Sequence, residues 1–180
     1  MTERSGMSRR QALMVGALAT AVPLLTAMRP ARKESPMSPQ NDWRWCERCQ
    51  GLWFGDNSTS GVCPAGGGHS EIGSGNYTLT QGTGSGQDNW RWCDQCQGLW
   101  FAGNGTPGVC PAGGGHSENG SGDYFLTQGS GSGQSGWRWC HRCQGLWFGD
   151  NGTFGECPAG GGHSENGSGN YFLPQQPTPP

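Results

Sequence analysis

Trp43-Arg44-Trp45-Cys46-Glu47-Arg48-Cys49-Gln50-Gly51-Leu52-Trp53-Phe54 is the stretch that decides the fold. It returns almost unchanged from Trp90 to Phe101 and from Trp137 to Phe148, a period of 47 residues. Self-similarity at a fixed period means that one structural unit is used several times. Each unit runs on through a polar Gly/Asn stretch to Cys-Pro-Ala-Gly-Gly-Gly-His-Ser-Glu and ends on Tyr-x-Leu. The units span 43–79, 90–126 and 137–173.

A unit shorter than about 40 residues cannot close a sufficient apolar core alone and needs a covalent or metal staple. The candidates are Cys46, Cys49, Cys63 and His69 in the first unit, Cys93, Cys96, Cys110 and His116 in the second, and Cys140, Cys143, Cys157 and His163 in the third. The spacing is Cys-x2-Cys-x13-Cys-x5-His in all three. Three cysteines per unit is an odd number, so a disulfide framework would strand one thiol in every unit. Four-coordinate structural zinc takes Cys and His and often begins at a Cys-x2-Cys turn. The expectation is therefore three zinc ions per chain. Iron takes the same ligands, but three thiolates and an imidazole more often hold zinc. His141 occupies the slot of Glu47 and Asp94 and is not a ligand.

The local pattern predicts short strands and no helix after the N-terminal segment. Trp43 and Trp45 alternate with Arg44, Leu52-Trp53-Phe54 reads as the return strand after the cysteine turn, and Asn76 to Leu79 as a last strand. The arrangement resembles the zinc-ribbon class, with a Cys-x2-Cys turn in one hairpin and a second ligand pair in another loop. Cys63 and His69 depart from the ribbon pattern in lying five residues apart instead of two. The resemblance implies small, metal-stabilised all-β modules without a large core. Segments 80–89 and 127–136 are Gly/Ser/Gln-rich and read as flexible linkers. The Pro-rich tail, 174–180, reads as extended and unpaired. The expected organisation is beads on a string.

Residues 1–36 read as an export signal and disordered lead, apart from the fold. Ser8-Arg9-Arg10-Gln11-Ala12-Leu13 resembles the twin-arginine export motif, and the modestly apolar run Ala12 to Met28 follows it. That run is interrupted by Pro23 and weakened by Gly16, so no stable membrane span is expected. The resemblance implies an extracellular or cell-envelope location and passage of the folded, metal-loaded protein. From Ser35 onward the chain has five arginines and no lysine against eleven acidic residues. The exported part is acidic and lacks the basic footprint that nucleic-acid binding requires.

Catalysis is not expected. Trp45-Cys46-Glu47-Arg48-Cys49 superficially matches the thioredoxin motif, but Gly51 and an aromatic strand follow it instead of a helix. His69-Ser70-Glu71 ahead of Cys93 and Cys96 echoes zinc deaminases, but the α/β scaffold is missing and Cys46 and Cys49 would be orphaned. A catalytic zinc keeps an open position, which four protein ligands close. The remaining signal is aromatic. Alternation points Trp53, Trp100 and Trp147 away from their Leu and Phe neighbours. Exposed there, they would suit sugar rings or peptides. The expectation is a secreted, non-enzymatic, multivalent protein that recognises cell-wall or surface polysaccharide through those tryptophans. The alternative is a structural spacer or metal-holding repeat protein without a specific ligand.

Overall fold

The computed structural model describes residues 38–177. The export segment read at 1–36 lies outside them. The described residues are all-β, with no helix. Nine strands run in chain order: β1 (Ser38–Trp45), β2 (Leu52–Phe54), β3 (Tyr77–Gln81), β4 (Gln87–Trp92), β5 (Leu99–Phe101), β6 (Tyr124–Gln128), β7 (Gln134–Trp139), β8 (Leu146–Phe148) and β9 (Tyr171–Leu173). Each repeat contributes three. The sequence stretch quoted first is the hairpin of β1 and β2, with Trp43 opposite Phe54 and Trp45 opposite Leu52. Its copies pair identically, Trp90 with Phe101 and Trp137 with Phe148. The cysteine pair sits in the turn of each hairpin.

The repeats do not hang as separate beads. β3 pairs with β6 and β6 with β9, both antiparallel. The ring is then closed from the tail: Gln175 bridges Tyr77, and Thr78 N–H donates to the Pro174 carbonyl at 2.9 Å. At the other end the hairpins meet head to tail. Trp53 bridges Gly98, Trp100 bridges Gly145, and Trp147 bridges Gly51. A sheet that closes on itself leaves no long free edge. The tail read as unpaired is thus, as far as Gln176, part of the closure; Gln176 N–H donates to the Asn76 carbonyl at 2.8 Å.

One core serves all three repeats, against the expectation of modules with no large core. Trp43, Leu52, Tyr77 and Leu79 join Trp90, Leu99, Tyr124 and Leu126 and Trp137, Leu146, Tyr171 and Leu173 in a single buried cluster. Its aromatic contacts pass from repeat to repeat. Trp43 packs edge-on against Tyr124, Trp90 against Tyr171, and Trp137 against Tyr77, with centroids 5.1–5.3 Å apart. Such pairs add about 0.5–1.5 kcal/mol each beyond the area they bury. Each repeat supplies a third of a core that none could close by itself.

The segments read as linkers belong to the sheet over much of their length. Thr80 and Gln81 pair with Phe125 and Tyr124, and Gln87 opens β4. Two of their glycines answer to sterics more than to flexibility. A Cβ at Gly86 would sit 2.4 Å from the Leu126 carbonyl oxygen, and one at Gly133, where φ is +106°, would sit 2.3 Å from that of Leu173. Only glycine allows the backbones that close. Composition alone does not separate this use of glycine from its use in a flexible coil.

Candidate metal centres

The sharp turn after each cysteine pair is built on a glutamine. Gln50, Gln97 and Gln144 have φ of +65°, +66° and +67°, the left-handed region that side-chain-bearing residues seldom enter. They are buried and hydrogen-bonded. Gln50 Nε2 donates to the Glu47 carbonyl at 2.7 Å, and Gln50 Oε1 accepts from Trp45 Nε1 at 3.2 Å. The same Oε1 accepts from Asn151 Nδ2 of the third repeat at 3.0 Å, and Phe148 N–H donates to the Gln50 carbonyl at 2.8 Å. The glutamine thus fixes the metal turn and ties it to a neighbouring repeat. The sequence reading passed over it; its recurrence directly after the second cysteine was the available signal.

The second ligand pair lies on a loop without strand structure. Cys63 N–H donates to the Gly67 carbonyl at 2.8 Å, and Gly66 N–H returns to the Cys63 carbonyl at 2.9 Å. Gly66 and Gly67, at φ of +94° and +66°, let the chain double back. His69 N–H then donates to the Ser60 carbonyl at 2.9 Å, setting the ring toward the cysteines.

All twelve expected ligands come together as three groups of four. Cys46, Cys49, Cys63 and His69 have their ligand atoms within 4.8 Å of one another, and so do the two equivalent groups. Cys46 Sγ lies 3.9 Å from Cys63 Sγ, and Cys49 Sγ lies 3.5 Å from His69 Nδ1; both distances repeat in the other groups. A tetrahedral ion with metal–sulfur bonds near 2.3 Å and metal–nitrogen bonds near 2.0–2.1 Å sets those separations at about 3.8 Å and about 3.6 Å. A disulfide needs about 2.05 Å. The nine cysteines are buried and unpaired. The groups therefore fit a four-coordinate metal ion.

The protonation of the cluster fits the same task. Hydrogen bonds from Cys49 and Cys63 hold Cys46 far below the ordinary thiol value. Cys49 is held well above it by its bonds to Cys46 and Cys63 and by burial. Burial disfavours the imidazolium of His163, but hydrogen bonding and charge from Cys140 and Cys157 together outweigh it and push His163 up to about 9. A cation that binds such a group displaces protons, so acid opposes loading.

Two hydrogen bonds link neighbouring sites, while His116 Nε2 of the second site is buried without a partner among the described residues. His69 Nε2 lies 3.2 Å from the carbonyl of Cys96, a ligand of the second site, and His163 Nε2 lies 3.2 Å from that of Cys49, a ligand of the first. A histidine that ligates through Nδ1 is oriented by the hydrogen bond its other nitrogen makes. Here that partner is the backbone of another metal turn. Glycine permits the approach: a Cβ at Gly155, where φ is +58°, would lie 2.3 Å from the Cys49 carbonyl oxygen. Gly61 and Gly108 stand in the same relation to Cys96 and Cys143. Gly155→Ala is expected to cost about 2 kcal/mol or more, left-handed strain of 1–2 kcal/mol adding to the clash. Chemical denaturation, read as a lowered midpoint, checks it.

The tryptophans expected to bind a ligand are not surface groups. Trp53, Trp100 and Trp147 are 4%, 4% and 0% exposed. Each stacks on the ligand histidine of its own repeat with centroids 5.3–5.5 Å apart. Strand alternation does turn them away from the shared core, but toward the metal site instead of water. They shield the site from solvent. Glu71, Glu118 and Glu165 pair with Arg44, Arg91 and Arg138 at 3.1–3.2 Å.

No membrane-spanning helix occurs among the described residues. No family model, no curated protein and no solved structure matches this chain.

Proposed function

We propose that the chain is an exported, non-enzymatic recognition protein for cell-wall or surface polysaccharide, and that three structural zinc ions hold its single folded domain together. The observation that carries the structural-metal, non-enzymatic part of this reading is the closed ligand set. Each group offers three sulfurs and one nitrogen within 4.8 Å of one another, a full set for four-coordinate zinc that would leave no position for a substrate or an activated water. Zinc is favoured because it prefers tetrahedral thiolate–imidazole sites and has no redox chemistry to damage the thiols outside the cell. Export rests on the Arg9-Arg10 motif, and a carrier for folded proteins suits a domain whose thiols are best loaded before they meet an oxidising environment.

The buried tryptophans and the shared core change how multivalency would work. The three repeats present their surfaces from one rigid body, without flexible tethers. Pull-down of the full chain on insoluble cell walls and polysaccharides tests the function. Retention by the zinc-loaded protein, lost after chelation unfolds it, is the expected result. Absence of retention on every such matrix would favour the spacer reading.

A further inference from the structure

With Trp53, Trp100 and Trp147 buried, a ligand surface must lie elsewhere. Two grooves of about 200 Å³ and about 310 Å³ open where adjacent repeats meet. The first is bounded by Gln40, Phe54 and Gln81 on one side and Trp92, Gly122 and Tyr124 on the other. The second has Gln87, Phe101 and Gln128 facing Trp139, Gly169 and Tyr171, each 47 residues further on. Asn57 and Asn104 complete the rims. The same register continues to Gln134, Phe148 and Gln175 facing Trp45, Gly75 and Tyr77. Those residues also meet across the ring closure: Tyr77 Oη donates to Gln134 Oε1 at 2.6 Å, and a Cβ at Gly75 would sit 2.9 Å from Gln175 Nε2.

We infer that the two grooves, and the third interface built from the equivalent residues, are binding sites for neutral sugar units, one per interface. The inference rests on the reading of the chain as a polysaccharide-recognition protein and gives that reading its site. No charged side chain lines either groove, so nothing there selects an ionised group. Trp45, Trp92 and Trp139 are only partly buried. A Cβ at Gly73, Gly120 or Gly167 would lie in ordinary contact, 3.8–3.9 Å from Cζ3 of the indole, and glycine there removes one contact from that end of the ring. An indole face receives the C–H surface of a sugar ring. The hydroxyls at its rim need groups that both donate and accept, and carboxamides do both. Tyr124 Oη donates to Gln40 Oε1 at 2.5 Å and accepts from Gln81 Nε2 at 3.3 Å. Gln40 Nε2 and Gln81 Oε1 take no part in those bonds and remain for a guest. The volumes fall around the lower end of the roughly 300–1,000 Å³ typical of small-molecule sites, which suits one ring of a chain more than a whole oligosaccharide.

The test is a tryptophan-fluorescence and calorimetric titration of the zinc-loaded full chain. The probes are cellohexaose, laminarihexaose, mannohexaose and chitohexaose, with oligogalacturonate and a proline-rich peptide as alternatives. At least one neutral hexasaccharide is expected to bind with three equivalents of site per chain. Gln128→Ala, which removes an exposed rim amide, is expected to take one equivalent away. The triple change Gln81→Ala, Gln128→Ala, Gln175→Ala is expected to weaken binding at least tenfold with metal content unchanged. Binding only of the acidic saccharide or the peptide, binding of none of the probes, or full stoichiometry in Gln128→Ala would overturn the assignment. Retention on polysaccharide that survives the glutamine changes strikes the grooves alone. Absence of retention by the unaltered zinc-loaded chain strikes the functional reading itself.

Discussion

Cys63→Ser is expected to unfold the whole domain, not one third of it. The substitution removes one ligand of the first site. Apparent binding energies of structural zinc, about 10–16 kcal/mol, match or exceed the total stability of an ordinary domain, about 5–15 kcal/mol. Loss of the site would be contained if the repeats were independent. They are not: Leu52 and Trp43 of the first repeat lie in the same buried cluster as Leu99 and Leu146. The Cys49 turn also carries the partner of His163 and the close approach of Gly155. The measurement is metal content with near-ultraviolet circular dichroism. The variant should hold fewer than three ions, and the signals of Trp90 and Trp137 should be lost along with that of Trp43. A variant that retains two ions and two thirds of the native signal would mean independent modules.

Ending the chain at residue 126 is expected to abolish cooperative folding, although two complete ligand sets remain. The truncation removes β9, and with it the partner of β6 and the Gln175 bridge to Tyr77. It removes Tyr171 from Trp90 and Trp137 from Tyr77, and it takes away the Gln144 carbonyl that accepts from Phe101 N–H at 2.9 Å. Two freed sheet edges and an opened core should leave a metal-binding but loosely packed, aggregation-prone chain. Urea unfolding followed by tryptophan emission should show a broad, shallow transition in place of the steep one of the full chain. A sharp transition in the truncated chain would refute closure.

What could be read from the sequence was what each repeat does to itself. The hairpin from Trp43 to Phe54 and the set Cys46, Cys49, Cys63 and His69 are local relations, fixed by spacing and alternation. What one repeat does to the next was not legible. Gly86 and Gly133 look like linker residues because flexibility and close backbone approach call for the same amino acid. Trp53 alternates out of the core as expected, but alternation does not say what covers the other face, which here is His69 and the metal turn. One clue was present. Gln81, Gln128 and Gln175 keep the 47-residue register through both linkers and into the tail. A flexible linker has no physical reason to preserve register, whereas a strand that closes a ring has one.

The most direct test of the closed, three-metal domain is native mass spectrometry of the intact protein during stepwise chelation. Sites joined through His69 and Cys96, through His163 and Cys49, and through one core should empty together. Two dominant species are expected throughout, one with three metal ions and one with none. Successive populations with two and then one ion, in the proportions of independent sites, would contradict that expectation.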